Sequence, residues 1–344
     1  MQADAQSRLT NRFERFADEC AKLDSSIYAR LSRYIAQSDR LLELASHAPR
    51  EPVPNLLFGA VHYLLLDGAD HKLREYYPSL VASPHEDDHL FSAFTDFCES
   101  HREAILALVD SRLVQTNEVN RSAILAPAFG VVSELTQRRP LTLIEVGTSA
   151  GLNLCWDRFR IEYPDGTVLG DARSTVRLRC ENRGAPFGAA VGESIPIAAR
   201  TGIDLHPIDL TNAAERLWLR ALVWPDHRER AARLEAAVAL ALDQPQPLIR
   251  GNVFDVLPQV LATSLPDATF CVYHSAVLYQ FASEERERFS NMLADVSKER
   301  PVWRIAAENE QGLRLHCYRG GRLAEERFLG EFDAHGRWIA WQTS

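Results

Sequence analysis

Residues 141–156 read LTLIEVGTSAGLNLCW, and this stretch decides the fold. Its first half is apolar at Leu141, Leu143, Ile144 and Val146, which predicts a buried strand. Small residues follow and predict a tight turn, and the apolar residues after them predict the start of a helix. Strand, glycine turn and helix together form the first unit of a doubly wound α/β sheet. Backbone N–H groups at such a helix start lack partners within the helix, so a ligand is expected to meet them there.

The spacing of the small residues favours one class of ligand. A dinucleotide-binding turn follows G-x-G-x-x-G, and only Gly147 matches it, because Ser149 and Leu152 hold the other two glycine positions. The pattern E/D-x-G-x-G-x-G of S-adenosylmethionine-dependent methyltransferases fits better. Glu145, Gly147 and Gly151 match that pattern, and Ser149 replaces its middle glycine. A glycine turn that holds no nucleoside would have the same residues.

The composition is that of an ordinary globular protein. The length of 344 residues predicts about two domains, or one large domain with an elaboration. Of these residues, 46% are hydrophobic and 25% are charged, which allows a substantial core. The net charge of −9 argues against a nucleic-acid partner. Six scattered cysteines without a C-x-x-C pair, and an N-terminus without the apolar segment of a signal peptide, predict reduced thiols in a cytoplasmic protein. The longest apolar run, residues 56–66, is too short to cross a membrane.

The first third of the chain has helical periodicity. Leu9, Phe13, Phe16 and Cys20 recur at helical spacing, and no strand-like alternation follows up to about residue 126. Residues 1–126 are therefore predicted to form an α-helical cap domain. His85 and His89 flank an acidic run, which favours a solvated segment over a metal pair, and no metal site is expected.

A polar segment lies between that region and the central strand. Residues 115–121, QTNEVNR, crowd hydrogen-bonding side chains between two apolar stretches. One interpretation is a capping and domain-joining network, which must be fully satisfied if it is buried. The other is a polar wall of an active site, to which Gln115, Asn117, Glu118 and Arg121 would contribute.

The chain beyond the central strand predicts further parts of the sheet. Alternation and glycine breaks at about residues 160–200 predict a β-rich insertion. The following short apolar strand ends at Asp204, where nucleoside-binding sheets place the acid that accepts hydrogen bonds from ribose. Asp209 is the alternative acid, although it fits an N-cap equally well. After the next strand, Asn252 is predicted to contact the adenine amino group, and Val253 or Phe254 the adenine ring. The alternative is an ordinary strand-to-helix turn in which Asp255 caps the helix.

The strand at residues 268–275 is predicted to supply the substrate side of the site. His274 lies at its carboxyl end, where an open sheet presents functional groups, and its ordinary pKa near 6.5 suits a general base. A buried histidine hydrogen-bonded at the strand end is the alternative interpretation. Tyr273 and Tyr279 are predicted to share the pocket. The alternation after residue 312 predicts a terminal antiparallel hairpin.

Several of these segments together resemble one family. The segments that carry the resemblance are residues 115–118, Arg121, residues 145–154, residues 202–207, residues 223–226 and Arg230. With these segments the chain resembles, over nearly its whole length, the bacterial domain-of-unknown-function family 2332, and its α/β half resembles class I S-adenosylmethionine-dependent methyltransferases.

The resemblance implies a Rossmann-like, doubly wound, mostly parallel sheet with an antiparallel C-terminal hairpin in residues 127–344, after the helical domain. It also implies S-adenosylmethionine as cofactor and a small molecule as substrate. The expected cofactor-binding residues are Glu145, Gly147, Ser149, Gly151, Asp204, Asn252 and Val253. The expected substrate-binding residues are Gln115, Asn117, Tyr273 and Tyr279, and the expected catalytic residues are His274, Glu118 and Arg121.

Two other functions fit the same residues. Ser149 in the glycine turn suggests a non-catalytic nucleoside- or metabolite-binding protein that keeps the methyltransferase fold. A nicotinamide-dependent oxidoreductase is disfavoured by Leu152, which holds a position that should be glycine. The sequence identifies neither the methyl acceptor nor the oligomeric state.

Overall fold

A computed structural model describes residues 2–262, 267–308 and 311–342. The chain forms two compact units, which are Met1–Thr116 with Thr211–Glu235, and Asn117–Leu210 with Ala236–Ser344. Within the described ranges, each helix is either too short or too polar to cross a membrane.

The α-helices of the described residues follow in chain order. They are α1 (Gln2–Lys22), α2 (Ser26–Ala36), α3 (Asp39–Ser46), α4 (Val53–Leu66), α5 (His89–Ser100), α6 (Arg102–Ser111), α7 (Ser122–Leu135), α8 (Ala213–Ala221), α9 (Arg228–Asp243), α10 (Val253–Ala262) and α11 (Ser283–Val296). Short 3₁₀ helices occupy Lys72–Tyr76, Val119–Arg121, Leu152–Arg158, Ala189–Gly192 and Leu278–Gln280.

The strands follow the same order. They are β1 (Leu141–Val146), β2 (Arg160–Glu162), β3 (Val168–Gly170), β4 (Arg177–Arg179), β5 (Glu181–Asn182), β6 (Ile197–Asp204), β7 (Leu248–Arg250), β8 (Thr269–Ser275), β9 (Val302–Glu308), β10 (Gly312–Arg319), β11 (Arg322–Phe332) and β12 (Trp338–Trp341).

The first unit is built of helices around an aromatic core. The residues that the periodicity of α1 selects, Leu9 and Cys20 among them, are buried. Phe58 of the apolar α4 stacks on Tyr28 of α2 with ring centroids 4.3 Å apart. Trp218 of α8 joins the same core, although α8 begins at Ala213 and the preceding helix of this unit, α6, ends at Ser111. Long-range packing therefore assigns α8 to the helical unit.

The second unit contains a large, mostly parallel sheet with antiparallel strands at one side. The strand order is β5-β12-β11-β10-β9-β8-β1-β6-β7. Strands β7, β6, β1, β8 and β9 are mutually parallel, and β10, β11 and β12 continue as an antiparallel meander. The tail thus forms three antiparallel strands, whereas the sequence predicts a single hairpin. A separate small sheet has the order β3-β2-β4.

The segment after β1 differs from the predicted helix. Residues Leu152–Arg158 form a 3₁₀ helix whose geometry is broken at Cys155. Leu152 to Trp156 are all buried, so this segment lacks the polar face that a surface α-helix presents to water. The expected helix start, with its row of free N–H groups, is therefore replaced by a short turn inside the unit.

Candidate functional site

The candidate site lies at the carboxyl ends of the central parallel strands. β1 pairs with β6 on one side and with β8 on the other, so the direction of strand succession reverses at β1. Open α/β sheets bind ligands beside such a reversal, beyond the carboxyl ends of the strands. All the predicted site residues except Gln115 belong to this second unit; Gln115 belongs to the first.

The turn after β1 is filled by side chains of the protein itself. Gly147, Ser149 and Gly151 all have positive φ angles, of 71°, 55° and 71°. A Cβ atom on Gly147 would lie 2.4 Å from Val277 Cγ2, and one on Gly151 would lie 2.7 Å from Leu248 Cδ2. These two glycines are therefore required for packing and for the left-handed backbone.

Most N–H groups of this turn already have partners, contrary to the expectation of bare amides. Those of Gly147 and Thr148 donate to the carbonyl of Ile203, at 2.8 and 3.3 Å. That of Leu152 donates to Asn117 Oδ1 at 3.1 Å. The reason is physical: buried backbone donors without a partner are costly, so neighbouring strands and side chains satisfy them.

The loop after β6 closes over Ser149. The N–H of Ser149 donates to Asp204 Oδ2 at 2.8 Å, and the carbonyl of Ser149 accepts from the N–H of Ile208 at 3.1 Å. The hydroxyl of Ser149 is buried and has no hydrogen-bond partner among the described residues. Ser149 therefore combines a strained backbone conformation with an unsatisfied polar atom, and such positions concentrate at functional sites.

Asp204 lies at the expected place, at the end of β6, and structures its own loop. Its Oδ1 accepts the N–H of His206 at 2.8 Å. Beside it, Nη2 of Arg250 lies 3.1 Å from Nδ1 of His206, and both of these side chains are exposed. This part of the edge thus presents a carboxylate next to a guanidinium and an imidazole.

The two predicted adenine contacts have different environments. Asn252 is exposed, and its Oδ1 accepts the N–H of Phe254 at 3.0 Å, which caps α10. Val253 is buried in the core with Leu257 and Leu261. The ring of Phe254 is half-buried, and the guanidinium of Arg288 lies over it, 4.2 Å from the ring centroid.

Glu145 is enclosed within the unit. Its Oε2 accepts a hydrogen bond of 2.7 Å from the hydroxyl of Thr148. Burial raises the pKa of Glu145 to about 8, because loss of solvent disfavours the charged carboxylate. The side chain is therefore mostly protonated at neutral pH, and it stabilises the turn through its hydrogen bond with Thr148.

His274 is fully buried in a charged network. Its Nδ1 donates to Glu308 Oε1 at 2.7 Å, and its Nε2 accepts from Arg304 Nε at 3.0 Å. Burial lowers the pKa of His274 to about 4, so the ring is neutral at pH 7. Both ring nitrogens are engaged, so the predicted general-base role would require Arg304 to withdraw. The geometry fits the alternative interpretation, a buried histidine hydrogen-bonded at the strand end.

The two predicted substrate tyrosines lie in opposite environments. Tyr273 is fully buried and meets Phe129 edge to face, with ring centroids 5.1 Å apart. Tyr279 is 69% exposed. Only Tyr279 is accessible to a ligand in this conformation.

The polar segment before α7 is anchored largely by backbone groups. Asn120 donates through Nδ2 to the carbonyls of Arg179 and Gly336, at 3.1 and 2.6 Å. Arg121 donates to the carbonyls of Ala334 and Ser275, at 2.9 and 3.3 Å. These bonds match the capping-network interpretation, and they bring the turn between β11 and β12 to the end of β8.

That turn carries His335, which sequence reasoning missed. Nδ1 of His335 lies 3.4 Å from Glu118 Oε2. The sequence indicates only a turn at His335 and Gly336, and no spacing links it to Glu118, which lies more than two hundred residues away. The sequence signal for a functional residue there is limited to a histidine in a turn after β11.

Among the described residues, no three His, Cys, Asp or Glu side chains come together in a group that could hold a metal ion. The six cysteines are buried and free.

Comparison with known proteins identifies the family. Residues 10–341 match the family described as an uncharacterized protein conserved in bacteria, DUF2332, and the chain belongs to that family. Neither a curated protein nor a solved structure matches the chain.

Proposed function

We propose that the second unit is an S-adenosylmethionine-dependent methyltransferase that acts on a small molecule. The position of Asp204 carries the proposal: its carboxylate, at the end of β6, lies 2.8 Å from the N–H nitrogen of Ser149 in the turn after β1. The order β7-β6-β1-β8-β9 supports it, because it is the 3-2-1-4-5 order of Rossmann-like nucleotide-binding sheets. The helices of residues 2–111 would belong to a separate, helical domain in the same proposal.

The exposed edge fits the adenosine part of the cofactor. Each oxygen of Asp204 accepts one backbone N–H, and a carboxylate can accept further hydrogen bonds from ribose hydroxyls. Asn252 caps α10 through its Oδ1, and its amide nitrogen can donate to a ring nitrogen of adenine. Phe254 offers a half-buried ring nearby. The turn itself is filled by Val277 and Leu248, so the adenosyl group would lie across the rim of the turn.

The residues of the chain would act by binding the cofactor and the substrate and by orienting them. The bound cofactor supplies an electrophilic methyl group. Asp204 would fix the ribose, and protonated Glu145 would maintain the turn through Thr148. Methyl transfer depends mainly on in-line placement of the two reactants, so rigid positioning alone accounts for much of the rate.

Calorimetric titration with S-adenosylhomocysteine tests the cofactor site. We expect saturable binding to the wild type and a loss of about tenfold to a hundredfold in affinity for Asp204→Ala, because a charge-assisted hydrogen bond is worth roughly 1.5–3 kcal/mol. Asp171→Ala is the matched control, since Asp171 also accepts the N–H two residues ahead, at 2.9 Å, but in the loop that follows β3. Absence of heat with the wild type, or equal affinities for all three proteins, would refute the proposal.

A second candidate is a nucleoside- or metabolite-binding protein without chemistry. It is favoured by the engagement of both ring nitrogens of His274. Incubation with methyl-labelled S-adenosylmethionine and a fractionated bacterial metabolite extract separates the two functions. Label transfer to a small molecule indicates an enzyme, whereas cofactor binding without transfer in any fraction indicates a binding protein.

A further inference from the structure

A second histidine, His335, lies at the edge of the second unit beside a glutamate. His335 follows β11, and its side chain is 28% exposed. Its Nδ1 faces Glu118 Oε2 at 3.4 Å, while its Nε2 has no hydrogen-bond partner among the described residues. A neutral imidazole that donates through Nδ1 has its lone pair on Nε2, which is the arrangement of a base oriented by a carboxylate.

The backbone on both sides of this pair is fixed. On the histidine side, Asp333 Oδ1 accepts the N–H of His335 at 3.1 Å. On the glutamate side, Glu118 is buried, and its Oε1 accepts the N–H of Asn120 at 3.2 Å. A Cβ atom on Gly336 would lie 2.3 Å from the carbonyl oxygen of Asn120, so only glycine permits this contact. These contacts fix the position of the turn that carries His335 relative to the segment that carries Glu118.

Arg121 connects the pair to the carboxyl end of β8. Its Nε donates to the carbonyl of Ala334 and its Nη1 to that of Ser275, so one guanidinium bridges the residue before His335 and the last residue of β8. The hydroxyl of Ser275 is buried and has no partner among the described residues. His335 is thus placed beside the same edge of the sheet as the proposed cofactor site, with an unsatisfied hydroxyl nearby.

We propose that His335 is the residue that accepts a proton from the substrate, and that Glu118 is its positioning residue. This proposal rests on the proposed function, because methyl transfer is the reaction for which the substrate would lose its proton. The hydrogen leaves a hydroxyl or amine of the substrate as a proton and binds to Nε2. The electron pair of the broken bond stays on the substrate heteroatom, and the imidazolium that forms donates through Nδ1 to the Glu118 carboxylate. The substrate class is therefore a small molecule with an ionisable O–H or N–H group.

The charges around His335 suit this step. Glu118 and Asp333 face it with negative charge, and Arg121 and Arg337 are the neighbouring cations. Arg337 is paired with Asp333 in two contacts of 2.9 and 2.8 Å. The carboxylate that contacts the ring itself is Glu118.

Chemical modification tests the pair without any ligand. Diethyl pyrocarbonate acylates accessible, unprotonated imidazole nitrogen, and peptide mass spectrometry assigns each site. At pH 7 we expect rapid modification of His335 and none of His274 in the folded protein. Glu118→Gln should slow the reaction of His335 at least fivefold, because an amide that donates to Nδ1 moves the ring proton to Nε2. Glu181→Gln is the matched control and should leave the rate unchanged, since Glu181 pairs with Arg183 at the surface.

A nitrogen-15 NMR spectrum of the wild type supplies a measurement that does not depend on a folded variant. We expect His335 as the Nδ1–H tautomer, and the Nε2–H tautomer in Glu118→Gln; Glu118→Asp should restore the first in part. An unreactive His335, a modification rate that ignores Glu118, or an Nε2–H tautomer in the wild type would overturn the inference. If the pair behaves as expected but S-adenosylhomocysteine does not bind, the proton-accepting pair stands and the cofactor assignment falls. If S-adenosylhomocysteine binds but His335 is insensitive to Glu118, the cofactor assignment stands and the proton-accepting pair falls.

Discussion

His274 and His335 both face a glutamate in the second unit, but their surroundings differ. His274 is fully buried, and Glu308 and Arg304 occupy its two nitrogens. His335 is partly exposed, and only its Nδ1 has a partner among the described residues. A histidine beside a carboxylate is therefore a structural element where it is shielded from solvent and both ring nitrogens have hydrogen-bond partners. It becomes a candidate base only where one nitrogen remains accessible.

Replacing Glu308, the partner of the buried His274, should cause the largest loss of stability. Glu308 Oε1 accepts from His274 Nδ1 and from the N–H groups of Val277 and Leu278. Glu308→Ala leaves these donors buried without a partner, and we expect a loss of about 3–5 kcal/mol in the free energy of unfolding. Hydrogen exchange of β8 and β9 under increasing urea measures the second unit alone. Glu325→Ala, which removes a partly exposed ion-pair partner of Arg327, should cost less than about 1 kcal/mol.

The stability of the protein should depend on pH through His274. Burial lowers the pKa of His274 to about 4, below its ordinary value near 6.5, so the unfolded chain binds the proton more readily. The stabilisation is therefore complete above about pH 6.5 and is lost as the pH falls towards 4, by about 3 kcal/mol. Despite its burial, hydrogen bonds from His274 hold the pKa of Glu308 below its usual value, which adds a loss at still lower pH.

The replacement His274→Gln isolates that contribution. Glutamine can accept from Arg304 and donate to Glu308, but it does not titrate. Urea unfolding between pH 4 and pH 7 should show a slope shallower by up to about 1.4 kcal/mol per pH unit than in the wild type. Equal slopes would mean that His274 does not titrate on unfolding in this range.

Substitutions in the glycine turn after β1 measure how closely this turn packs against the buried network of His274 and Glu308. In Gly147→Ala the new methyl would lie 2.4 Å from Val277, the residue whose N–H donates to Glu308. A left-handed alanine and the clash together should cost about 2–3 kcal/mol, measured by urea unfolding. Gly166→Ala is the control, because Gly166 has a positive φ of 88° but nothing within 4 Å. Gly166→Ala should lose only the stability that a left-handed backbone costs an alanine. The double variant Gly147→Ala with Val277→Ala should recover the part of the loss that comes from the clash.

The predictable parts of this site were those encoded over short distances. The strand at residues 141–146, the tight turn after it and the acid at the end of β6 all follow from local pattern, and the structure has them. The helix after the turn was predicted wrongly, because Leu152 to Trp156 are buried on every side and form a 3₁₀ segment. Periodicity cannot separate such an apolar run from a helix.

The remaining features depend on contacts between distant residues. Nothing near His274 indicates that Glu308 and Arg304 come from the adjacent strand to fill both its nitrogens. Likewise, the closure of the β6 loop on Ser149 and the approach of His335 to Glu118 depend on loop conformations that only the folded unit determines. Local sequence therefore identified the edge of the sheet, but the partners of each polar group there follow from tertiary packing.

The smallest effect on stability is expected at His335. In His335→Gln the lost group is partly exposed and makes one long contact of 3.4 Å to Glu118, so the free energy of unfolding should change by less than about 1 kcal/mol. Under turnover conditions, however, loss of a proton acceptor should lower kcat by about a hundredfold to ten-thousandfold, with KM nearly unchanged. Urea unfolding and steady-state kinetics on the same preparation measure both quantities. A drop in stability matching that of Glu308→Ala would place His335 with His274 among the structural histidines, because only a residue that packing depends on destabilises the fold when it is replaced.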